Sequence, residues 1–182
     1  LVLVPVVNPD SAPGLVGMAN ALAVPNVGRV LILSVVDPPK EQATNQHGVV
    51  AQAASNVVGQ ALSSSMESGM MPEFLLTMAS DPWDEIGRVA TNHGCESLLL
   101  GLNPETPPEN LKPFERLFSN IDCDVSVLAA PSGWRLHQVH EVLVPIGGRG
   151  EHDTLRARLL GSLSRLLELR ITFLRVLPAN AN

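Results

Sequence analysis

A chain of 182 residues with 45% hydrophobic and 16% charged side chains can bury a substantial core and is not a disordered tail. At that length one domain accounts for most of the chain, with a fraction left over. A net charge of −6 without a basic face argues against a nucleic-acid surface, which must neutralise phosphates. The apolar runs fall short of the roughly 20 residues a bilayer crossing needs, so no direct membrane insertion of this segment is expected.

Leu1 to Val7 (LVLVPVV) is a continuous apolar run of the kind that forms a strand buried on both faces of a parallel sheet. Asn8-Pro9-Asp10-Ser11 is a turn and helix-cap cluster, and Ala12 to Val24 predicts a small-residue helix closed by Pro25-Asn26 and Gly28. Arg29 to Val36 (RVLILSVV) predicts a second buried strand, stopped by Asp37-Pro38-Pro39. Lys40 to His47 is polar and reads as a mobile loop, and Val49 to Met66 as a long helix. Glu73 to Ala79 (EFLLTMA) is a third strand. Ser80-Asp81-Pro82-Trp83-Asp84-Glu85 has a capping residue, a first-turn Pro and first-turn acids, and starts a helix that ends near Asn92. Glu96 to Gly101 (ESLLLG) is a fourth strand. The loop NPETPPEN and a short helix from Pro113 to Ser119 lead to a fifth strand, Val125 to Ala130.

Residues 1–131 therefore alternate strand and helix, which implies parallel pairing with right-handed crossovers. The order of strands in the sheet is not visible in this periodicity. After a linker over 132–139, holding Trp134, His137 and then His140 just beyond it, the tetrapeptide VLVP of Val2–Pro5 returns at Val142–Pro145. The following helix, LRARLLGSLSRLLE, lines up Leu155, Leu159, Leu163 and Leu166 or Leu167 on one face. Then ITFLRVLP resembles VLILSVVDP at nearly the same displacement. Two matched strands flanking a helix predict a partial second repeat over 140–182.

The opening VLVPVV, the strand RVLILSVVDPP, the helix start Trp83-Asp84-Glu85-Ile86 and the pair HGCESLLLG and IDCDVSVLAAP together resemble the universal stress protein family. The resemblance implies a Rossmann-like α/β fold: a five-stranded parallel sheet in the order 3-2-1-4-5 with helices on both faces. Such sheets bind ligands beyond the carboxyl ends of the strands, where the order reverses. That would place a ligand between the loops after strands one and four, and marks Val7, Asn8, Asp10, Gly101 and Asn103 as candidate ligand-binding residues. Many members of the family bind ATP there through a Gly-rich signature whose amides cradle the phosphates. Gly101 can stand for its first glycine, but its second falls on Pro104 and its final pair on Phe114 and Glu115. Prolines donate no N–H, and Glu105 and Glu109 would repel a triphosphate. No resident cofactor is expected, with ATP or AMP the only candidates.

Other groups read structurally. Gly147-Gly148-Arg149-Gly150 is a candidate anion loop or a flexible turn before a helix capped by Asp153 or Thr154, with Arg149 and Arg156 the cations to watch. His137 and His140 lack companions for a metal site. Asp81, Asp84 and Glu85 are explained by their helix terminus. Trp83 reads as a packing residue, and no G-x-S-x-G elbow is present. Cys95 and Cys123, each beside acids, read as buried, inert and reduced, which suits the cytoplasm. The chain opens on Leu inside a strand-like run without a signal peptide, which points to a piece of a longer protein. The expectation is a non-catalytic regulatory or ligand-sensing domain, a homodimer, joined to the membrane part of an amino-acid permease or cation antiporter. The alternative is an ATP-binding stress-response protein.

Overall fold

The computed structural model describes residues 1–25, 27–38, 52, 55–63, 65, 71–107, 112–147 and 153–175. The polar loop expected over 40–47 lies outside them. The first strand, β1 (Val2–Pro5), is followed by a single 3-10 turn at Pro9–Ser11 and helix α1 (Ala12–Leu22). Strand β2 (Val30–Val36), helical residues 55–63 (α2), β3 (Glu73–Met78), α3 (Pro82–Asn92), β4 (Ser97–Leu102), α4 (Lys112–Asn120) and β5 (Asp124–Ala129) follow. All pairings are parallel, and the sheet order is β3-β2-β1-β4-β5. Every element expected within the described part of 1–131 is present, with ends shifted by a residue or two, as fraying ends allow.

The order places β1 at the centre with β2 and β4 beside it, which is why LVLV, VLIL and SLLL carry no polar alternation. On one face Val2, Val4, Val30, Ile32 and Leu99 pack beneath α1 and α2, which contribute Leu15, Val16, Ala19, Leu22, Val57 and Ala61. On the other, Leu3, Leu31, Leu33, Leu98 and Leu100 pack beneath α3 and α4, with Ile86, Val89, Phe114 and Leu117. Removing each such side chain from water contributes about 1.5–3 kcal/mol. Trp83 packs into this second cluster, its ring centroid 4.6 Å from that of Phe114.

Helix α3 starts as its sequence requires. Asp81 accepts from the N–H groups of Trp83 and Asp84, and Pro82 occupies the first turn. Arg116 of α4 then donates to Asp81 at 2.6 Å and to Asp84 at 2.8 Å, fastening the two helices of this face. The guanidinium holds the Asp81 carboxyl below its usual range, with the capping N–H groups adding to the effect. Glu85 is buried but receives a bidentate Arg88 fork at 2.6 and 2.7 Å, which likewise depresses its pKa. Burial pushes the thiol pKa of Cys95 up, and that of Cys123 as well, where Asp124 and Asp122 add to it.

Residues 141–175 form a second unit with its own sheet. Strand β6 (Glu141–Ile146), helix α5 (Asp153–Leu166) and β7 (Arg170–Arg175) make a parallel β-α-β. Val142-Leu143-Val144-Pro145 pairs with Ile171-Thr172-Phe173-Leu174, as Val2-Leu3-Val4-Pro5 pairs with Val30-Leu31-Ile32-Leu33. Helix α5 lies against α1, with Leu155 and Leu159 on the first core cluster and Leu163 buried, while Leu166 is half exposed. The two sheets differ in cover: Leu3 is 0% exposed and its counterpart Leu143 is 60% exposed.

Candidate functional site

Strand β1 pairs with β2 over four residues but with β4 over only two, Val2↔Ser97 and Leu3↔Leu98. The cause is a single residue. The N–H groups of Val2 and Val6 donate to Arg29 and Leu33, on the β2 side. By alternation along the strand, position 5 points to β4, and position 5 is Pro5, which has no N–H. The ladder therefore stops at the carboxyl end of β1, and the sheet opens where its order reverses.

A pocket of about 200 Å³ occupies this opening. Its floor is Pro5, Leu15 and Gly101, and its rim is Val7, Asn8 and Ser11 from the first loop with Leu102 and Asn103 from the fourth. A Cβ on Gly101 would lie 3.1 Å from the Leu15 side chain, so that glycine serves the close approach of α1 to β4. Four of the five candidate ligand residues, Val7, Asn8, Gly101 and Asn103, line the pocket together. The fifth, Asp10, is not in the lining; its backbone carbonyl accepts from the N–H of Gly133 at 3.1 Å.

That bond brings in a wall with no signal in the sequence pattern. The segment after β5 turns back over α1, with Gly133 at φ +76°, a conformation that favours glycine. Pro131, Ser132 and Trp134 complete the pocket, with Leu128 and Ala130 of the β5 end. The ring of Trp134 rests on Gly14, and Leu136 rests on Gly17, so the small residues of α1 are the seat of this segment. The sequence offers only Trp134 in a linker and two glycines three residues apart on α1, Gly14 and Gly17, and nothing that joins them.

Both loops spend their polar groups on themselves. Asn8 Oδ1 accepts from Asp10 N–H at 3.0 Å, and Ser11 Oγ donates to the Asn8 carbonyl at 2.7 Å. Asn103 Oδ1 accepts from Glu105 N–H at 3.0 Å, and the Asn103 carbonyl accepts from Thr106 N–H at 2.9 Å. Pro104 has no N–H to add. Two N–H groups that could cradle a phosphate after β4, those of Glu105 and Thr106, are thus committed, and Phe114, where the family signature has glycine, is a buried core ring. Among the described residues, no Lys or Arg lines the pocket. These residues do not fit a nucleoside triphosphate.

Of the second candidate site, Gly147 follows β6 in the open, while Gly148, Arg149 and Gly150 lie outside the described residues. Arg156 bonds Asp153 at 2.6 Å within the first turns of α5. No group of three or more His, Cys, Asp or Glu that could hold a metal ion occurs among the described residues. None of their helices is long and apolar enough to cross a membrane.

No protein-family model matches the sequence, and neither does any curated protein sequence. Solved structures do match. A universal stress protein in complex with cAMP superposes with a TM-score of 0.55 at 15% identity, covering 70% of this chain and 94% of that one. A universal stress family protein from Burkholderia pseudomallei gives 0.53 at 19% identity, over 71% of this chain and 95% of that one. The universal stress protein from Archaeoglobus fulgidus in complex with dAMP gives 0.53 at 16% identity, over 69% and 94%. The fold is that of the universal stress proteins. About seven tenths of this chain suffices to span nearly the whole of each of these three proteins.

Proposed function

We propose that the chain is a non-catalytic, ligand-sensing domain of the universal stress protein type. The observation that carries this reading is the pocket at the strand-order reversal, built from both crossover loops. Among the described residues its lining has no His, Cys, Asp, Glu, Lys or Arg, so none of them offers a general acid, base or charged nucleophile to a bound molecule. Occupancy would bias the conformation of the segment over 131–134, which forms one wall and leads through a 3-10 turn at Leu136–Gln138 into β6.

Residues 140–182 are, in this reading, the opening of a second tandem copy after a 132–139 linker and a 1–131 first domain. The matched pairing of the two VLVP strands supports it. We place the chain in the cytoplasm as a homodimer, attached to the membrane part of an amino-acid permease or cation antiporter. Its support is the family resemblance, in which tandem domains are fused to the cytosolic ends of such transporters.

The test is a thermal melt with ATP, ADP, AMP and cyclic AMP, each with magnesium. A ligand at a hundred times its Kd stabilises by about 2.7 kcal/mol, a readily visible rise in Tm. The expected outcome is no saturable rise. The second reading, an ATP-binding stress-response protein, is favoured by neighbours solved with cAMP and dAMP, and a saturable rise with ATP would install it in place of the first. Transporter attachment is tested by fractionating native cells: the antigen should sediment with membranes in a species much larger than this chain.

A further inference from the structure

We propose that the strand-end pocket takes a small, uncharged molecule with a flat apolar body and hydrogen-bond acceptors, held between the Trp134 ring and the Nδ2 groups of Asn8 and Asn103. This rests on the reading of the pocket as a ligand site and names the class of ligand.

Three observations converge on that chemistry. The first is charge. None of the fourteen described lining residues is ionisable at neutral pH, so neither a phosphate nor an ammonium finds a counter-ion among them. Asp10 and Glu105, each two residues from a lining asparagine, add a negative surround that further disfavours anions. The second is the donor set. Asn8 and Asn103 come from opposite loops, and each has its Oδ1 held by a backbone N–H two residues on. What each has left to offer is an Nδ2 amide with two N–H donors, which selects ligand carbonyls or ring nitrogens. The third is shape. The volume of about 200 Å³ is below the roughly 300–1,000 Å³ of drug-sized sites, and Leu15, Leu102, Leu128 and Trp134 supply apolar wall. An indole in the wall of a small pocket favours a flat ring stacked on it.

The experiment uses the whole chain with Trp83→Phe, so that Trp134 is the single fluorophore. It is titrated with nicotinamide, its anionic counterpart nicotinate, its cationic counterpart 1-methylnicotinamide, and the pair adenosine and AMP. The expected result is a saturable change in emission with nicotinamide or adenosine, and at least tenfold weaker binding of each charged counterpart. Asn8→Asp and Asn103→Asp keep the oxygen that closes each turn but remove the donor and add charge; each should weaken the neutral probe at least fivefold. Nicotinate, 1-methylnicotinamide or AMP binding as tightly as its neutral partner overturns the ligand class while the site reading stands. No saturable response to any of the five overturns both. The same titrations of the unsubstituted chain, followed by ¹⁵N shifts of Gly14 and Gly101, give the answer independently of the Trp83 replacement.

Discussion

Gly14 lies so close beneath Trp134 that a Cβ placed on it would stand 2.8 Å from the ring carbon Cε3 and 2.9 Å from the Trp134 carbonyl oxygen. The helix of the first crossover and the segment leaving the fifth strand are therefore in backbone contact. One of the two obstacles is main chain, which cannot swing aside as a side chain can.

Gly14→Ala should accordingly destabilise the protein by about 1–3 kcal/mol, the range for overpacking a well-filled site. Trp134→Ala removes the ring but not the carbonyl, so it should rescue only part of the loss. The pair should be non-additive, as residues in contact are. Urea midpoints of the four proteins check this; full additivity would mean that the contact is not made in solution.

Pro5→Ala restores an N–H on the side of β1 that faces β4. The expected outcome is a longer β1–β4 ladder and a narrower pocket, because the interruption at Pro5 coincides with the opening. Native-state hydrogen exchange is the measurement. A protected amide at position 5 supports the account, and exchange at the rate of an open loop removes it.

Leu3→Ala and Leu143→Ala change the same letter of the same tetrapeptide. Leu3 is fully buried beneath the α3–α4 layer, and its truncation should cost about 2–5 kcal/mol. Leu143 is mostly exposed, and its truncation should stay within about 0.5 kcal/mol. A large loss at Leu143 in the isolated chain would show that this face is covered in solution, for instance by a second copy, and dilution would then weaken it.

Arg116→Ala unfastens α4 from the start of α3. Because Arg116 depresses the folded pKa of Asp81, the folded protein binds fewer protons than the unfolded chain between the two values. The stabilisation is therefore fully present above the ordinary Asp range near pH 4 and is lost as pH falls through the depressed value. Arg116→Ala should lower Tm at pH 7, and its difference from the parent should shrink as pH falls below the ordinary Asp range. A difference that does not change with pH would assign the effect to lost packing rather than to the ion pair.

What the sequence by itself determined is local. Runs such as VLILSVV, the Asp81-Pro82 helix start and the spacing of Leu155, Leu159 and Leu163 fixed where strands and helices lie, because periodicity and capping depend on neighbours a few residues apart. The strand order came from a resemblance, since parallel strands of equal apolar character carry no label of their neighbours. Pro104 was legible as a missing donor, but the role of Pro5 was not, because which side of β1 its missing N–H faces depends on the pairing of Val2 and Val6. Only the tertiary structure turned Asp10 out of the pocket and brought Trp134 into it, across more than a hundred residues of chain onto Gly14. Such contacts are set by which surfaces remain after the two core layers have closed, and that is a property of the assembled sheet rather than of any stretch of sequence.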